Sequence, residues 1–372
     1  MAEHRRQLDI AVIGAGILGL ATTEALVRLG VDVTCFDGRP PGRGLSGGLT
    51  RTFRHRHDSE QVVGLAVAGK EGFDRWAKRL GRRLIGDEGV VYAGMTPDHA
   101  AGMRAHGVEH RFADPAEHRS LFGPLAPVSG PLLVDPDGGA IRAKRTIDAL
   151  AGWVGDRIVQ ADIHSVTVPP DGDGVEIQTT ESIYRARHVV ICAGTAAPRL
   201  GAGVGFDMPV RSALHARPHF RLRDGYRGEP LPCWVDITGE FGEKVYGSPI
   251  GSTGRYVLGL IGPDVDVPFD AAGALPPGST MDEHVRRLQS YVRRALPGLD
   301  SEPVGIRVCV MTKLPAGSDA FRVWHTGGVT AIAGHNLFKL APVLGELLAE
   351  SAVDDVLPAR LRLAGATALR AA

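Results

Sequence analysis

Three glycines near the start of the chain have the spacing of a turn that binds a dinucleotide. The apolar run at 8–13 is typical of a buried parallel strand, and Gly14, Gly16 and Gly19 follow it in G-x-G-x-x-G order. Gly14 permits a tight turn, Gly16 lets a pyrophosphate approach the backbone, and Gly19 lets the next helix pack closely on the sheet. Asp37 ends a second predicted strand, where its carboxylate can accept hydrogen bonds from ribose hydroxyls. This order of elements predicts a dinucleotide site.

The hydrophobic pattern predicts the elements that must position this turn. Helices are predicted at 17–29, 60–80, 146–153, 281–296 and 342–350, and a hairpin joins 163–168 to 175–178. The first helix would direct the amides of Ile17 and Leu18 at phosphate oxygens. Strands at 188–194 and 329–334 indicate returns to the same sheet, and strand-like runs within 210–313 predict a second one. The expected fold is α/β, a Rossmann-like domain with an inserted, mainly antiparallel β-sheet domain of α+β type.

Length and composition limit the class of protein. The 372 residues favour two domains, and the 44% hydrophobic and 23% charged fractions are those of an ordinary globular protein. A formal net charge of zero implies no general attraction to nucleic acid or to an anionic membrane. We find no run of transmembrane length and no room for a signal peptide before the first strand, so the cytoplasm is the expected location. The four cysteines lack C-x-x-C spacing, which disfavours a disulfide framework and a metal site.

Four stretches, in order, carry a family resemblance: Gly14-Ala15-Gly16-Ile17-Leu18-Gly19, Thr50-Arg51-Thr52-Phe53-Arg54-His55, Arg307-Val308-Cys309-Val310-Met311-Thr312 and Gly334-His335-Asn336-Leu337-Phe338-Lys339-Leu340-Ala341-Pro342. With them the chain resembles the monomeric sarcosine oxidase branch of the D-amino-acid-oxidase-like flavoproteins. The resemblance implies an FAD-dependent oxidoreductase with the flavin ring at the junction of two domains. The FAD-binding domain is expected at 1–88, 145–209 and 325–372, and the substrate-binding domain at 89–144 and 210–324.

The sharpest implication of the resemblance concerns Cys309. The corresponding cysteine of the family's C-x-x-T segment joins the flavin 8-methyl carbon through a thioether. A thiolate is the reactive form, and Arg307 is a candidate neighbour that would favour it. The alternative for Cys309 is a buried cysteine that acts as a small hydrophobe, which is also the expected role of Cys35, Cys192 and Cys233.

The resemblance also implies catalytic roles for four basic side chains. Arg54 and Lys339 match a pair that binds the substrate carboxylate, since a guanidinium donates two hydrogen bonds and an ammonium adds charge. Arg51 matches an arginine on the flavin face, and His57 falls where relatives have an active-site tyrosine. The alternatives are a surface arginine paired with a carboxylate such as Asp58, and a solvated lysine beside a helix.

Further cofactor contacts are expected from residues around the glycine turn and the last apolar strand. They are Ser46, Thr50, Ile163, Gly194, Gly334, His335 and Leu337, in addition to Gly14, Gly16, Ile17, Leu18, Gly19, Asp37, Arg51, Cys309 and Lys339. The helix that begins near Pro342 would direct its positive dipole end at the flavin pyrimidine edge.

Two departures from the family pattern affect the expected electron acceptor. Val257 stands where relatives have a lysine associated with activating dioxygen, eight residues after Pro249, and Gly47 stands where a histidine is usual. The sequence therefore leaves open whether dioxygen or another acceptor reoxidises the flavin. It also favours a substrate other than sarcosine.

Taken together, these features predict an enzyme that oxidises the C–N bond of a secondary or cyclic amino or imino acid to an imine, by hydride transfer to FAD. The expected partner is this small-molecule substrate, with no nucleic acid, membrane or metal, and the expected state is a monomer. Two alternatives stay open: a flavin-dependent 2-hydroxy acid oxidoreductase, and a flavin-binding protein without oxidase turnover.

Overall fold

The computed structural model describes residues 5–226, 231–262, 264–266, 281–315, 321–363 and 367–368. The remaining parts of the predicted domain segments lie outside the described residues. Where the predicted division into two domains falls along the chain stays a prediction.

The described helices and strands follow one another closely along the chain. The helices are α1 Ile17–Arg28, α2 Glu60–Leu80, α3 Ala101–Ala105, α4 His118–Leu121, α5 Ala143–Val154, α6 Ala197–Ala202, α7 Asp282–Ala295, α8 Ala341–Asp354 and α9 Ala359–Leu363. The strands are β1 Arg5–Ile13, β2 Val33–Asp37, β3 Thr50–Phe53, β4 Val90–Ala93, β5 Arg111–Ala113, β6 Leu132–Asp135, β7 Gly139–Arg142, β8 Ile158–Gln160, β9 Ile163–Thr167, β10 Val175–Thr179, β11 Ile183–Ile191, β12 Arg211–Arg221, β13 Cys233–Asp236, β14 Val245–Pro249, β15 Arg255–Leu260, β16 Val265–Asp266, β17 Gly305–Lys313, β18 Phe321–Thr326, β19 Val329–Gly334 and β20 Thr367–Ala368. A 3-10 turn at Leu337–Leu340 precedes α8.

The first sheet has the order β20-β18-β19-β11-β1-β2-β8, and the hairpin β9–β10 joins it through β11. Strands β1, β2, β8, β11 and β19 run parallel. Strand β1 is buried on both faces: Ile10 and Val12 pack with α1 and α8, whereas Ala11 and Ile13 pack with the hairpin and α6. This explains its continuous apolar sequence. The carboxyl ends of β1, β2, β11 and β19 therefore share one edge of the sheet.

The second sheet has the order β16-β12-β15-β14-β13-β4-β6-β5, and β17 pairs with β12. Its pairings are antiparallel except for β13 with β4. Helix α7 packs on one face through an apolar core that includes Trp234, Tyr256 and Tyr291. The short ladder β3–β7 forms separately. The predicted fold class, a Rossmann-like sheet with an inserted and mainly antiparallel sheet, is confirmed.

Each predicted helix and strand has a counterpart in the structure, but some bounds differ and several short elements were not predicted. The helix predicted at 146–153 extends to Ala143–Val154, and the last long helix continues to Asp354. Strand β18 was not predicted, and it pairs antiparallel with β19 in the first sheet. None of the described helices combines the length and the apolar character needed to cross a bilayer.

Candidate active site

The glycine turn lies at the edge where the parallel strands of the first sheet end. Gly14 has a positive φ of 104°, and its amide donates to Phe36 O at 2.7 Å, which ties the turn to β2. A β-carbon at Gly14 would lie 2.6 Å from Cys192 O, and one at Gly19 would lie 1.8 Å from Gly14 O. Neither position can carry a side chain without moving backbone. The cradle therefore depends on glycine at both places.

Hydrogen bonds to neighbouring polar side chains hold the backbone of this turn, where the ribose and the pyrophosphate are predicted to bind. Asp37 accepts hydrogen bonds from Ala15 N at 2.8 Å and Arg39 N at 2.9 Å. Ser46 Oγ accepts the amide of Ile17 at 2.8 Å, so the first N–H of α1 is already hydrogen-bonded. Gly16 is less restricted, since a β-carbon there would lie 3.1 Å from Ser46 Oγ. Leu18 follows Ile17 in the first turn of α1.

The other predicted cofactor contacts lie around the same edge. Ile163 begins β9, two residues after Ala161, whose amide donates to Asp37 O at 3.1 Å. Gly194 has a positive φ of 56° and lies against Leu45. Gly334 ends β19, and its carbonyl accepts Thr312 Oγ1 at 2.6 Å, which joins the two sheets. His335 and Leu337 follow it on the way into the 3-10 turn.

Arg51 is half-buried in β3, and its guanidinium is held by carbonyl oxygens. It donates to Thr50 O at 2.8 Å and to Gly47 O at 2.5 Å, and it lies 5.8 Å from the centre of the Phe338 ring. Burial, together with the nearby charge of Arg217, lowers the pKa of Arg51 to about 10. This side chain is placed to act electrostatically.

Arg217 and Arg307 add two more guanidinium groups beside Arg51. They lie directly opposite each other on β12 and β17. Arg217 also donates to Thr50 O at 3.3 Å. The Nε atoms of both are buried without a hydrogen-bond partner within the described residues. No carboxylate in the described ranges lies within ion-pair distance of Arg51, Arg217 or Arg307. The junction of the two sheets therefore concentrates positive charge.

Cys309 lies on the same face of β17 as Arg307, since side chains two residues apart share a face. It is half-buried and stands opposite His215 of β12. Its thiol is close enough to Arg51 to influence the pKa of that guanidinium. In contrast, burial raises the pKa of Cys35 and of Cys192 to about 12, and that of Cys233 still further. Among the four cysteines, Cys309 is the one that shares a strand face with arginines.

The predicted substrate-binding pair comes from two segments that contact each other. Arg54 directly follows β3, and Lys339 lies in the 3-10 turn, which packs against β3. Arg54 donates to Arg56 O, and Lys339 is buried. His57 is buried as well, three residues beyond Arg54. The neighbouring His55 is bound to Asp135, through its amide at 2.9 Å and its ring at 3.0 Å.

A polar chain that the sequence did not predict lies behind this cluster. The hydroxyl of Tyr246 is 2.8 Å from His215 Nε2, and His215 Nδ1 is 3.1 Å from Asp264 Oδ1. Lys313 donates to the other oxygen of Asp264. Burial, with Arg217 and Lys313 nearby, lowers the pKa of His215 to about 3, so its ring is neutral. His215 therefore donates to Asp264, and Tyr246 donates to His215.

A cavity of about 250 Å³ lies beside these residues, and its wall includes Thr50, Arg217, His219, Val257 and Arg307. Val257, the departure from the lysine of relatives, thus lines a cavity that already contains two guanidinium groups. The other departure has a steric counterpart: a β-carbon at Gly47 would lie 2.5 Å from Arg307 Nη2. The guanidinium of Arg307 occupies the space that a larger residue at 47 would need.

Two aromatic residues of the second sheet belong to its core. Trp234 Nε1 donates to the hydroxyl of Tyr291 at 2.8 Å, and the hydroxyl of Tyr256 donates to Pro232 O at 2.7 Å. Both rings are fully buried. Tyr246, in contrast, lies beside Arg51 and Cys309.

The geometry defines a dinucleotide-dependent enzyme with a cationic active site. Gly14 and Gly19 permit the tight turn and the close helix packing that an FAD-binding cradle needs, and the buried Nε atoms of Arg217 and Arg307 can meet a polar or anionic group. Over residues 9–351 the chain matches the family described as DAO, FAD dependent oxidoreductase, and it belongs to that family.

Similar proteins point to amino acid oxidation. The chain is 28% identical to human peroxisomal sarcosine oxidase over 376 residues, covering 94% of this chain and 93% of that protein. It is 25% identical to N-methyl-L-tryptophan oxidase of Escherichia coli O81 (strain ED1a), covering 95% and 98%. The fold is that of NikD, an unusual amino acid oxidase essential for nikkomycin biosynthesis, with a TM-score of 0.81, 22% identity, and coverage of 98% and 99%. The predicted family is confirmed, and the chain is an FAD-dependent amino acid oxidoreductase of the sarcosine oxidase type.

We expect Gly19→Ala to abolish flavin retention. Its new methyl carbon would lie 1.8 Å from Gly14 O, so α1 must shift away from the turn. Gly152→Ala in α5 is the matched control, because no other atom lies within 4 Å of the added carbon. This control should gain up to about 1 kcal/mol from helix propensity. Visible flavin absorbance per chain measures the difference, and full retention by Gly19→Ala would contradict the cradle.

We expect His215 to make the protein less stable as the pH falls. In the unfolded chain this histidine is protonated below about pH 6.5. In the folded chain it is protonated only below about pH 3. The unfolded state then binds more protons, so the free energy of unfolding decreases by about 2 kcal/mol between pH 7 and pH 5 on account of this ring. Denaturant unfolding of wild type and His215→Gln at both pH values measures how much of this decrease in the free energy of unfolding comes from His215.

The exposed His164 provides the control for this experiment. His164→Gln should keep the wild-type pH dependence, whereas His215→Gln should have a shallower one. Equal pH dependence in wild type and His215→Gln would show that the ring is not held neutral.

Proposed function

We propose that this protein oxidises the C–N bond of a secondary or cyclic amino acid to the imine. The observation that carries the proposal is the junction of the two sheets, where Arg51, Arg217 and Arg307 have no carboxylate partner within the described residues. Such a site attracts a carboxylate-bearing substrate. The names of the sarcosine oxidase and N-methyltryptophan oxidase relatives, which describe the oxidation of N-methyl amino acids, support the same class.

The glycine turn and Asp37 would hold FAD, which supplies the hydride acceptor when it is bound. Arg54 and Lys339 would bind the substrate carboxylate, because they extend from two segments in mutual contact, and Lys339 is buried. A charge-assisted hydrogen bond from a buried ammonium is strong and directional. The substrate would then be oriented by its acid end, with its C–N bond toward the ring.

Tyr246 would complete the site without exchanging protons with solvent. Its hydroxyl proton is directed at His215 Nε2, so its oxygen lone pairs face the cationic side. Burial raises the pKa of Tyr246, which keeps the phenol protonated at neutral pH. Asp264 and Lys313 fix the orientation of His215. The hydrogen-bonded series from Tyr246 through His215 to Asp264 would thus position the phenol.

We also propose that Cys309 joins the flavin 8-methyl carbon through a thioether. Cys309 would hold the flavin by this C–S bond, whose formation would remove one hydrogen from the sulfur, one from the methyl carbon and two electrons that the flavin itself would take up. Arg307 and Arg217 share the face of Cys309. The cytoplasmic location and the monomeric state stay predictions.

Cys309→Ala should release flavin on denaturation, whereas wild type should retain it. Acid precipitation of each protein, followed by the absorbance of pellet and supernatant, measures the bound fraction. Cys192→Ala is the control, because burial raises the pKa of that thiol to about 12 and makes it unreactive. Free flavin from the wild type, or a flavin-bearing pellet from Cys309→Ala, would contradict the linkage.

Lys339→Met and Arg54→Met should raise the substrate concentration that half-bleaches the flavin anaerobically. Losing a charge-assisted hydrogen bond costs about 1.5–3 kcal/mol, which corresponds to roughly tenfold to a hundredfold. The titrants are N-methyl amino acids, cyclic amino acids and matched 2-hydroxy acids. Lys70→Met, which removes a lysine paired with Asp74 on α2, is the control.

Bleaching by amino acids and not by hydroxy acids is the expected result. If hydroxy acids alone bleach the flavin, the enzyme acts on C–O bonds. If neither class bleaches it, the protein binds flavin without turnover.

A further inference from the structure

A second cluster of ligand-type side chains lies in the first sheet, away from the candidate active site. His188 is in β11, His325 is in β18, and Asp355 follows the last residue of α8. One ligand atom from each lies within 4.8 Å of the other two. Val189, next to His188, pairs with Val329 at the start of β19, whereas the active-site edge is at Gly334. Five strand steps separate those ends, which is about 16 Å.

The hydroxyl of Thr330 organises both imidazole rings. Thr330 Oγ1 lies 3.0 Å from His188 Nε2, 3.0 Å from His325 Nδ1 and 3.0 Å from Ser351 Oγ. Each histidine therefore directs its other nitrogen at Asp355. His188 Nδ1 is 3.2 Å from Asp355 Oδ1, and His325 Nε2 is 3.1 Å from the Asp355 carbonyl and 3.9 Å from Oδ1.

The hydrogens available do not satisfy this arrangement. A neutral imidazole has one N–H and one lone pair, and a hydroxyl has one hydrogen and two lone pairs. If both rings donate to Thr330, and Thr330 donates to Ser351, then two nitrogen lone pairs face the oxygens of Asp355. If both rings donate to Asp355 instead, both need the one hydrogen of Thr330. In the mixed arrangements, with one ring donating to Thr330 and the other to Asp355, one ring nitrogen still directs its lone pair at an oxygen of Asp355. His188 Nδ1 is buried without a hydrogen-bond partner among the described residues.

We propose that His188, His325 and Asp355 bind one Zn²⁺ ion. The ion takes the lone pairs of His188 Nδ1 and His325 Nε2 together with a carboxylate oxygen, and every contact of Thr330 is then satisfied. Metal-bound histidines generally donate their other N–H to a fixed oxygen, which Thr330 provides. Two imidazoles and one carboxylate are a zinc ligand set that leaves a fourth position for water.

The spacing of the ligand atoms suits a zinc ion. Zinc–ligand bonds of 2.0–2.1 Å place tetrahedral ligand atoms about 3.4 Å apart, and the two separations of 3.2 and 3.9 Å from Asp355 Oδ1 lie on either side of that value. The Asp355 side chain is 45% exposed, which gives an ion access from solvent.

Such an ion would fasten the end of α8 to two strands of the first sheet. Asp355 has a positive φ of 52°, and its Oδ1 accepts the amide of Gly328 at 2.9 Å, so the carboxylate is already held in place. Asparagine tolerates this conformation. Asp355→Asn therefore removes the charge and leaves the shape of the site.

The test is a titration of EDTA-treated, flavin-loaded protein with ZnCl2, followed by calorimetry and by metal analysis after gel filtration. Wild type should bind one zinc per chain and melt at a higher temperature with zinc. Asp355→Asn and His325→Gln should bind at least tenfold more weakly. His164→Gln, which removes an exposed histidine hydrogen-bonded to Thr180, should bind like wild type.

X-ray absorption at the zinc edge of the wild type supplies a result that does not depend on the variants. Two imidazoles and oxygen ligands are expected. Failure of wild type to bind stoichiometric zinc would overturn the proposal, as would equal binding by all variants. A wild-type melting temperature that rises on acidification and is unaffected by zinc would assign a proton to the lone pair that faces Asp355 and would also overturn the proposal.

Discussion

Buried positive charge at the junction of the two sheets is the constraint around which the candidate active site is arranged. Arg51, Arg217 and Arg307 approach one another closely enough that Arg217 and Arg307 both lower the pKa of Arg51. The carbonyls of Thr50 and Gly47 offset part of the cost of burying these groups. Carbonyl dipoles do not neutralise a charge. An anionic group that binds here therefore stabilises the folded chain. Cofactor and substrate binding are thus coupled to stability.

Gly47 and Gly48 both lie against these arginines. A β-carbon at Gly48 would lie 2.8 Å from Arg51 Nη1, and one at Gly47 would lie 2.5 Å from Arg307 Nη2. Gly48 also has a positive φ of 123°, which favours glycine. Val257 lines the cavity whose wall includes Arg217 and Arg307.

Local motifs predicted much of the fold, because they depend on neighbours in sequence. The turn from β1 to α1 requires glycine for steric reasons that lie within a few residues, and the apolar run of β1 follows from burial on both faces. The chain from Tyr246 through His215 to Asp264 depends on how β12 pairs with β15, β16 and β17. Strand β12 is buried along most of its length, so its sequence has no alternation that would indicate its facing.

Strand register likewise decides which way two aromatic residues face. Tyr246 and Tyr256 lie on neighbouring strands with similar composition, yet one contacts His215 and the other fills the core under α7. Register decides this, because a shift of one residue exchanges the two faces of a strand. His188, His325 and Asp355 are likewise distant in sequence, and β18, which carries one of them, was not predicted. A cluster assembled by the order of strands in the sheet leaves no spacing pattern to detect.

Helix α8 connects the two sites physically. It begins directly after the turn that carries Lys339, and fourteen residues later it ends beside Asp355, a length of about 21 Å. Its contacts are too close to permit sliding: a β-carbon at Gly345 would lie 2.7 Å from Ala21, and one at Gly72 would lie 2.3 Å from Pro342. A rigid helix transmits displacement along its axis. An ion that holds Asp355 at the carboxyl end of α8 would therefore also help to hold Lys339 in position in the candidate active site.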